Sequence, residues 1–97
     1  MNLNEMRDIV HNTAKSKGWW DEERNTGDLL MLIVTEVAEA KEADRNDDFD
    51  NFKEELADII IRVLDMCGHF DVDIDTEMRQ KMQYNKTRPY RHGGKRS

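Results

Sequence analysis

Four carboxylates with regular spacing are the residues of this chain best suited to chemistry. They form two pairs whose members are three residues apart, Glu36 with Glu39 and Glu55 with Asp58. On a helix this spacing places both members of a pair on one face, about one turn apart. Burying an ionised carboxylate is costly unless it is paired or binds a metal. Because Mg²⁺ prefers carboxylate and water oxygens, the pattern predicts a Mg²⁺ site.

The sequence around these acids is apolar. Glu36 falls in the middle of a predicted helical stripe that contains Leu29, Leu32, Ile33 and Ala40. Asp58 is embedded between alanine and isoleucine residues. This context argues against the alternative interpretation, a solvated charged face with salt bridges. The remaining acids are interpreted as surface residues, for example Glu42, Glu54 and Asp65.

Four helices are predicted to position the acids, from apolar periodicity and capping residues. Their expected ranges are about 4–17, 25 or 26 to 44, 50 or 51 to 67, and 75 or 76 to 87. Gly18 suits the position after the first helix, and Gly68 is expected to end the third. There is no useful strand-like alternation, no repeat and no second domain. The predicted class is all-α.

The third predicted helix is apolar on more than one face. Ile59 and Ile61 point away from each other, and a separate stripe contains Leu56, Ile60, Val63 and Cys67. A monomer would leave some of this surface exposed, so a helical oligomer is expected. Cys67 is interpreted as a buried structural residue rather than a nucleophile.

Charge is distributed unevenly along the 97 residues, which carry a net charge of −6. All 21 acids lie at or before Glu77, whereas residues 79–97 contain seven basic side chains. We predict one domain over residues 1–90 and a flexible basic tail over 91–97. A metal complex of a polyphosphate would suit both the acidic body and the basic end. The apolar run 29–34 is too short to span a membrane, and the N-terminus lacks signal-peptide features, so a cytoplasmic protein is expected.

Together with a segment near the C-terminus, the acid pairs resemble the MazG-like all-α nucleoside triphosphate pyrophosphohydrolases. Glu36-x-x-Glu39 and Glu55-Leu56-x-Asp58 match the paired-acid motifs of that family. Lys81-x-x-x-Asn85-x-x-Arg88 matches its Lys-x-x-x-Asn-x-x-Arg segment, and the resemblance covers roughly residues 3–90. The chain departs from the pattern at Thr35, where the family usually has the first of two adjacent glutamates.

The resemblance implies a four-helix MazG-like bundle completed by oligomerisation, as a homodimer or homotetramer. It also implies hydrolysis of a (deoxy)nucleoside triphosphate between its α and β phosphates, in a house-cleaning role. Mg²⁺, with Mn²⁺ as a substitute, would be held by the family's ligand set, here Glu36, Glu39, Glu55 and Asp58. Glu39 or Glu36 would orient the attacking water, and the sequence does not separate the two.

Five further residues are expected to bind the substrate. Lys81 and Arg88 suit phosphate oxygens, and Asn85 suits the sugar or a phosphate. Trp19 or Trp20 suits stacking on the base. The alternative for the basic residues is an exposed helix end, and the alternative for at least one tryptophan is packing under the first loop.

Two other functions are weighed against this enzyme. One is a helical oligomer that binds nucleic acid through its basic tail, although the acidic body argues against an extended nucleic-acid surface. The other is a non-catalytic interaction protein, supported by Thr35 alone. His11, His69 and His92 are scattered without the spacing of a metal site and are interpreted as structural or exposed.

Overall fold

The chain folds into four α-helices in a computed structural model that describes residues 1–90. The helices are α1 (Leu3–Ser16), α2 (Thr26–Arg45), α3 (Phe49–His69) and α4 (Ile74–Thr87). Residues 1–90 contain no strand, so the predicted all-α class is confirmed. The basic tail predicted at 91–97 lies outside the described residues.

Each helix begins at a short polar side chain that caps its first turn. The capping residues are Asn2, Asn25, Asp48 and Asp73, and each accepts a hydrogen bond from the backbone N–H three residues later. Such caps satisfy N–H groups that lack a partner within the helix. The starts predicted for α3, at residue 50 or 51, and for α4, at residue 75 or 76, are wrong by one or two residues. The N-terminal caps of these helices are Asp48 and Asp73, which precede the predicted starts.

Two glycines behave differently from each other. Gly18 follows the C-cap of α1 with φ 85°, as predicted for a residue that leaves a helix in the left-handed region. The prediction that Gly68 ends α3 is wrong, since α3 continues to His69. A Cβ atom at Gly68 would lie 2.5 Å from Cβ of His11. Glycine at this position therefore allows α1 to approach α3 closely.

The third helix is the centre of the fold, because it packs against both α1 and α2, while α4 packs against α1. The buried apolar residues are Leu29, Ala40, Ala43, Leu64 and Cys67. Burial of Cys67 confirms its structural interpretation. The core is small, and among residues 1–90 no large side chain is completely buried.

Much apolar surface remains exposed on α2 and α3. The exposed residues include Leu30, Met31, Val34, Val37, Leu56, Ile60 and Ile61. The radius of gyration is 15.9 Å, whereas a compact chain of this length is expected near ~12.5 Å. A single chain therefore leaves apolar surface of α2 and α3 exposed, as the sequence predicted for a monomer. Oligomerisation stays a prediction. No helix within residues 1–90 combines the length and hydropathy needed to cross a membrane.

Candidate active site

Three of the four predicted carboxylates meet where α2 packs against α3. Glu36 and Glu39 lie one turn apart on α2, and Glu55 approaches them from α3. One carboxylate oxygen from each residue lies within 4.8 Å of the other two. Like charges at this separation repel strongly. We call these three residues the carboxylate cluster.

Glu36 is the buried member of the carboxylate cluster, with only 9% of its surface exposed. This burial confirms its predicted position within the apolar stripe of α2. Arg62 donates a hydrogen bond from Nε to Glu36 Oε1 at 2.9 Å. The guanidinium of Arg62 keeps the pKa of Glu36 below its usual range, against the opposing effect of burial. Glu36 is therefore ionised at neutral pH.

Glu55 is the member of the carboxylate cluster whose pKa is raised. The neighbouring Glu36 carboxyl, burial and the carboxyl of Glu39 raise the pKa of Glu55 to about 7. Its Oε2 atom is buried and has no hydrogen-bond partner within residues 1–90. A buried carboxylate oxygen without a donor indicates that a cation or a proton is needed to complete the site.

The donor set of the carboxylate cluster fits a hard divalent cation. Every available ligand atom is a carboxylate oxygen, which Mg²⁺ prefers, and the open side toward Glu39 leaves room for the waters that Mg²⁺ retains. Mn²⁺ also suits oxygen ligands. Cys67 lies outside the cluster, so the set offers no thiolate that would favour a softer metal.

Asp58, the fourth predicted ligand, lies close to the cluster without belonging to it. Its side chain is exposed, one turn after Glu55 on α3. Asp58 and Glu36 line the same cleft, which has a volume of about 450 Å³. The predicted ligands are thus brought to one region, with oxygen atoms of three of them within 4.8 Å of one another and Asp58 at the wall of the adjoining cleft.

The cleft beside the carboxylate cluster has acidic, apolar and cationic walls, and Glu36, Asp58 and Asp65 form the acidic part. Val10, Ala14 and Ile61 supply apolar surface, and Trp19 adds an aromatic ring. Cationic side chains come from Lys17 and Arg62, neither of which the sequence predicted as a site residue. The volume, the flat ring and the two cations suit a ligand that combines a planar group with phosphates.

The two tryptophans occupy different environments. Trp19 lies under Arg24, whose guanidinium carbon is 3.9 Å from the ring centroid, and Arg62 is 5.4 Å from the same ring. Trp20 stacks on His69 with ring centroids 4.1 Å apart. The environment of Trp20 fits the alternative interpretation of packing under the first loop, whereas Trp19 lines the cleft.

A buried polar group connects α1 to α3 behind Trp19. Asp65 Oδ1 accepts a hydrogen bond from Trp20 Nε1 at 3.0 Å and lies 2.8 Å from His11 Nδ1. The interpretation of Asp65 as a surface residue is wrong, because only 9% of it is exposed. The sequence spacing could have indicated that Asp65 faces the site, since a residue seven positions after Asp58 lies two turns further along the same face of the helix.

The predicted phosphate-binding residues lie on the exposed C-terminal half of α4. Lys81 Nζ and Arg88 Cζ are 5.7 and 5.5 Å from the ring centroid of Tyr84. Asn85 is exposed on the same helix. None of the residues lining the cleft beside Glu36 comes from α4. The substrate-binding role of these residues stays a prediction.

Thr35 occupies the position where the MazG-like sequence pattern usually has an additional glutamate. Its hydroxyl donates a hydrogen bond to the carbonyl of Met31 within α2, at 3.0 Å, and the residue is exposed. The carboxylate cluster forms without a contribution from this position. The departure at Thr35 therefore leaves the geometry of the cluster intact.

Comparison with known families gives one match that covers most of the chain. The model of the family described as PRA-PH, phosphoribosyl-ATP pyrophosphohydrolase, matches residues 3–83. This range contains the whole carboxylate cluster, Asp58 and Lys81, but ends before Asn85 and Arg88. No curated protein and no solved structure is detectably similar to this chain.

Proposed function

Because the chain belongs to the phosphoribosyl-ATP pyrophosphohydrolase family, within the MazG-like all-α superfamily, we propose that it is a Mg²⁺-dependent nucleotide pyrophosphohydrolase. The reaction would cleave a (deoxy)nucleoside triphosphate between its α and β phosphates. Its products would be a nucleoside monophosphate and pyrophosphate. The observation that carries this proposal is the carboxylate cluster, with its buried, unpartnered Glu55 oxygen, at the end of a cleft that contains cations and an aromatic ring.

The carboxylate cluster would hold the metal through Glu36, Glu39 and Glu55, with Asp58 available from the adjoining wall. A bound Mg²⁺ would neutralise phosphate charge and lower the pKa of a coordinated water. Arg62 fixes the orientation of Glu36 by its 2.9 Å hydrogen bond, which keeps one ligand ready. As in other phosphoryl transfers, positioning and electrostatics would provide most of the reduction in barrier.

Glu39 is the member of the cluster best placed to act on the attacking water. Glu36 is bonded to Arg62 and Glu55 is partly buried, whereas Glu39 is exposed on the open side of the cluster. A carboxylate within reach of water can orient it and accept its proton. We assign Glu39 this role in addition to its contact with the metal, and Glu36 a ligand role alone.

Substrate phosphates need cations that the cluster does not provide. Lys17 and Arg62 already line the cleft in a single chain. Lys81, Asn85 and Arg88 lie on the far part of α4, which packs against α1. We propose that they reach a phosphate site in an oligomer, where α4 of one copy approaches the cleft of another.

The exposed apolar surface of α2 and α3 supports the proposal that copies of the chain associate. Val34 and Ile60 are 52% and 56% exposed in the middle of their helices. Soluble monomers rarely leave a contiguous apolar surface of this kind open. A homodimer or homotetramer that covers it would also bring carboxylate clusters and α4 helices of different copies together.

The substrate that we propose is a nucleotide. The family's description names a phosphoribosyl derivative of ATP, and the cleft here would accept a nucleotide with a planar base. A house-cleaning role against non-standard or excess nucleotides is the role we propose.

Pyrophosphate release from a panel of nucleoside triphosphates, with Mg²⁺ and with EDTA, tests the proposal. We expect Mg²⁺-dependent formation of equal amounts of monophosphate and pyrophosphate. Release of single phosphate would contradict the proposed site of cleavage. A folded, metal-binding protein without any turnover of the panel or of phosphoribosyl-ATP would favour the non-catalytic interaction protein instead.

A further inference from the structure

Asp65 is a buried carboxylate that the proposed reaction does not use, although it lines the same cleft as Glu36. Both of its described hydrogen bonds are made by one oxygen, Oδ1, which contacts Trp20 Nε1 and His11 Nδ1. Within residues 1–90 the other oxygen, Oδ2, accepts none. Oδ2 is not fully buried, so it is open to a hydrogen-bond donor from a ligand in the cleft.

The position of Asp65 suits the base of a nucleotide whose phosphates lie beside Glu36 and Asp58 in the same cleft. Asp65 lies two turns after Asp58 on α3, about 10 Å along the helix axis. A nucleoside spans a comparable distance from its α-phosphate to the edge of its base. Val10, Ala14 and Ile61 line the cleft together with the ring of Trp19, and this apolar surface suits a flat base better than a ribose.

We propose that Asp65 is a specificity-determining residue whose Oδ2 accepts a hydrogen bond from the exocyclic amine of a nucleobase. The site would then favour 4-aminopyrimidine or 6-aminopurine nucleotides over those with a carbonyl at the same ring position. A carbonyl oxygen at that position would repel the carboxylate, and the nearest donor of such a base would be the N–H of the adjacent ring nitrogen, one atom further along the ring. This inference rests on the proposed nucleotide pyrophosphohydrolase function.

Matched nucleotide pairs test the inference on the wild-type chain. CTP differs from UTP, and ATP from ITP, by an amine in place of a carbonyl and by the absence of a proton on the adjacent ring nitrogen. We expect kcat/KM to favour the amine by about 10- to 100-fold within the pair that the protein hydrolyses faster, as for a hydrogen bond to a charged group. Equal kcat/KM values within both pairs, or a preference for the carbonyl, would overturn the inference while leaving the proposed function in place. Absence of any turnover would instead count against the proposed function.

The substitution Asp65→Asn separates recognition from structural support. Its amide oxygen can still accept the bond from Trp20 Nε1, which is a donor only, so the amide NH₂ must occupy the position of Oδ2. The cleft then presents a donor where the wild type presents an acceptor. We expect the preference to reverse toward the carbonyl nucleotide, with a melting temperature close to that of the wild type. Asp8→Asn, on an exposed carboxylate bound to Arg7, is the control and should leave the preference unchanged.

Two further measurements test whether Asp65 recognises the base amine itself. Calorimetric binding of the α,β-methylene analogues of CTP and UTP should show the same preference and the same reversal without turnover. Comparison of CTP with dCTP distinguishes the base amine from a ribose hydroxyl as the donor. Loss of ribose discrimination in Asp65→Asn, with base preference unchanged, would contradict our assignment. So would a uniform loss of affinity for all nucleotides, which a purely structural role predicts.

Discussion

Arg62 and Glu36 form an ion pair between α3 and α2, with Arg62 Nε 2.9 Å from Glu36 Oε1. The side chain of Glu36 is only 11% exposed, and that of Arg62 is 32% exposed. The pair therefore has two consequences. It stabilises the packing of the two helices, and it keeps the buried carboxylate of the carboxylate cluster ionised.

Replacing Arg62 by methionine should lower the free energy of unfolding by about 1–3 kcal/mol, since Glu36 is left buried without its donor. Urea titrations in EDTA would measure the loss. Adding Mg²⁺ should recover part of it, because the cation replaces the lost positive charge. Arg45→Met is the control, as Arg45 forms only an exposed pair with Glu42 at 3.9 Å. A loss no larger than that of the control would show that the ion pair contributes little.

The raised pKa of Glu55 predicts competition between Mg²⁺ and a proton. Because the pKa of this carboxyl is about 7 without metal, cation binding below that pH must release a proton. The apparent affinity for Mg²⁺ should rise about tenfold per pH unit up to about pH 7 and then level off. Calorimetric titrations from pH 5.5 to 8 would measure this slope. Glu55→Gln should weaken binding and flatten the pH dependence, and an unchanged slope in this variant would assign the proton to another group.

Without metal, Glu55 should make the free energy of unfolding fall as pH rises, whereas the affinity for Mg²⁺ rises with pH. The pKa of Glu55 is raised from 4.5 to about 7 on folding, so between these values the folded state binds more protons than the unfolded state. The contribution of Glu55 to stability therefore falls as pH rises through this window. The difference in unfolding free energy between the wild type and Glu55→Gln, measured in EDTA, should shift in favour of the variant between pH 5 and 7. A difference that is independent of pH would contradict the raised pKa.

Glu39→Gln should remove catalysis while leaving the fold intact. The residue is exposed, so its substitution should change the melting temperature little. Loss of a group that orients and deprotonates water is expected to lower kcat by about 10²- to 10⁴-fold. Pyrophosphate release would measure the effect, with Glu42→Gln on the same helix as the control. Retention of more than a tenth of wild-type kcat would mean that another residue acts on the water.

Gly68→Ala tests the close approach of α1 to α3. The new Cβ would lie 2.5 Å from His11 Cβ, and such overpacking is expected to cost about 1–3 kcal/mol despite the better helix propensity of alanine. Gly27→Ala is a matched control, because its Cβ would meet only the side-chain oxygen of Asn25, at 3.0 Å. Urea titration of both variants would compare them. A Gly68 variant as stable as the control would show that the helices can separate without penalty.

A charge on the apolar surface of α2 and α3 should separate the proposed oligomer. Ile60→Lys places an ammonium group at a side chain that is 56% exposed in one chain but would be buried between copies. Sedimentation velocity should show a smaller species than the wild type, whereas Asn46→Lys in the exposed connection between α2 and α3 should not. A monomeric wild type would contradict the proposed oligomer, and an Ile60→Lys protein of unchanged size would place its interface elsewhere.

The sequence by itself predicted four helices and the three acids of the carboxylate cluster, together with Asp58, which lies outside it. Apolar periodicity and short capping side chains act over a few residues, so they are visible without tertiary information. Glu36 in the middle of an apolar stripe could be predicted to be buried for the same reason. The paired-acid spacing then indicated which acids would share a face of each helix.

Only the tertiary structure decided which side chains meet across helices. The pairing of Arg62 with Glu36, and of Asp65 with Trp20 and His11, joins residues 26, 45 and 54 positions apart. The role of Gly68 as a point of close contact with α1 likewise depends on packing. The sequence does not show whether a glycine ends a helix or lies within it against a neighbouring helix. Periodicity assigns a residue to a face of its own helix, but the distance and chemistry of the facing helix are set by packing, which no local pattern contains.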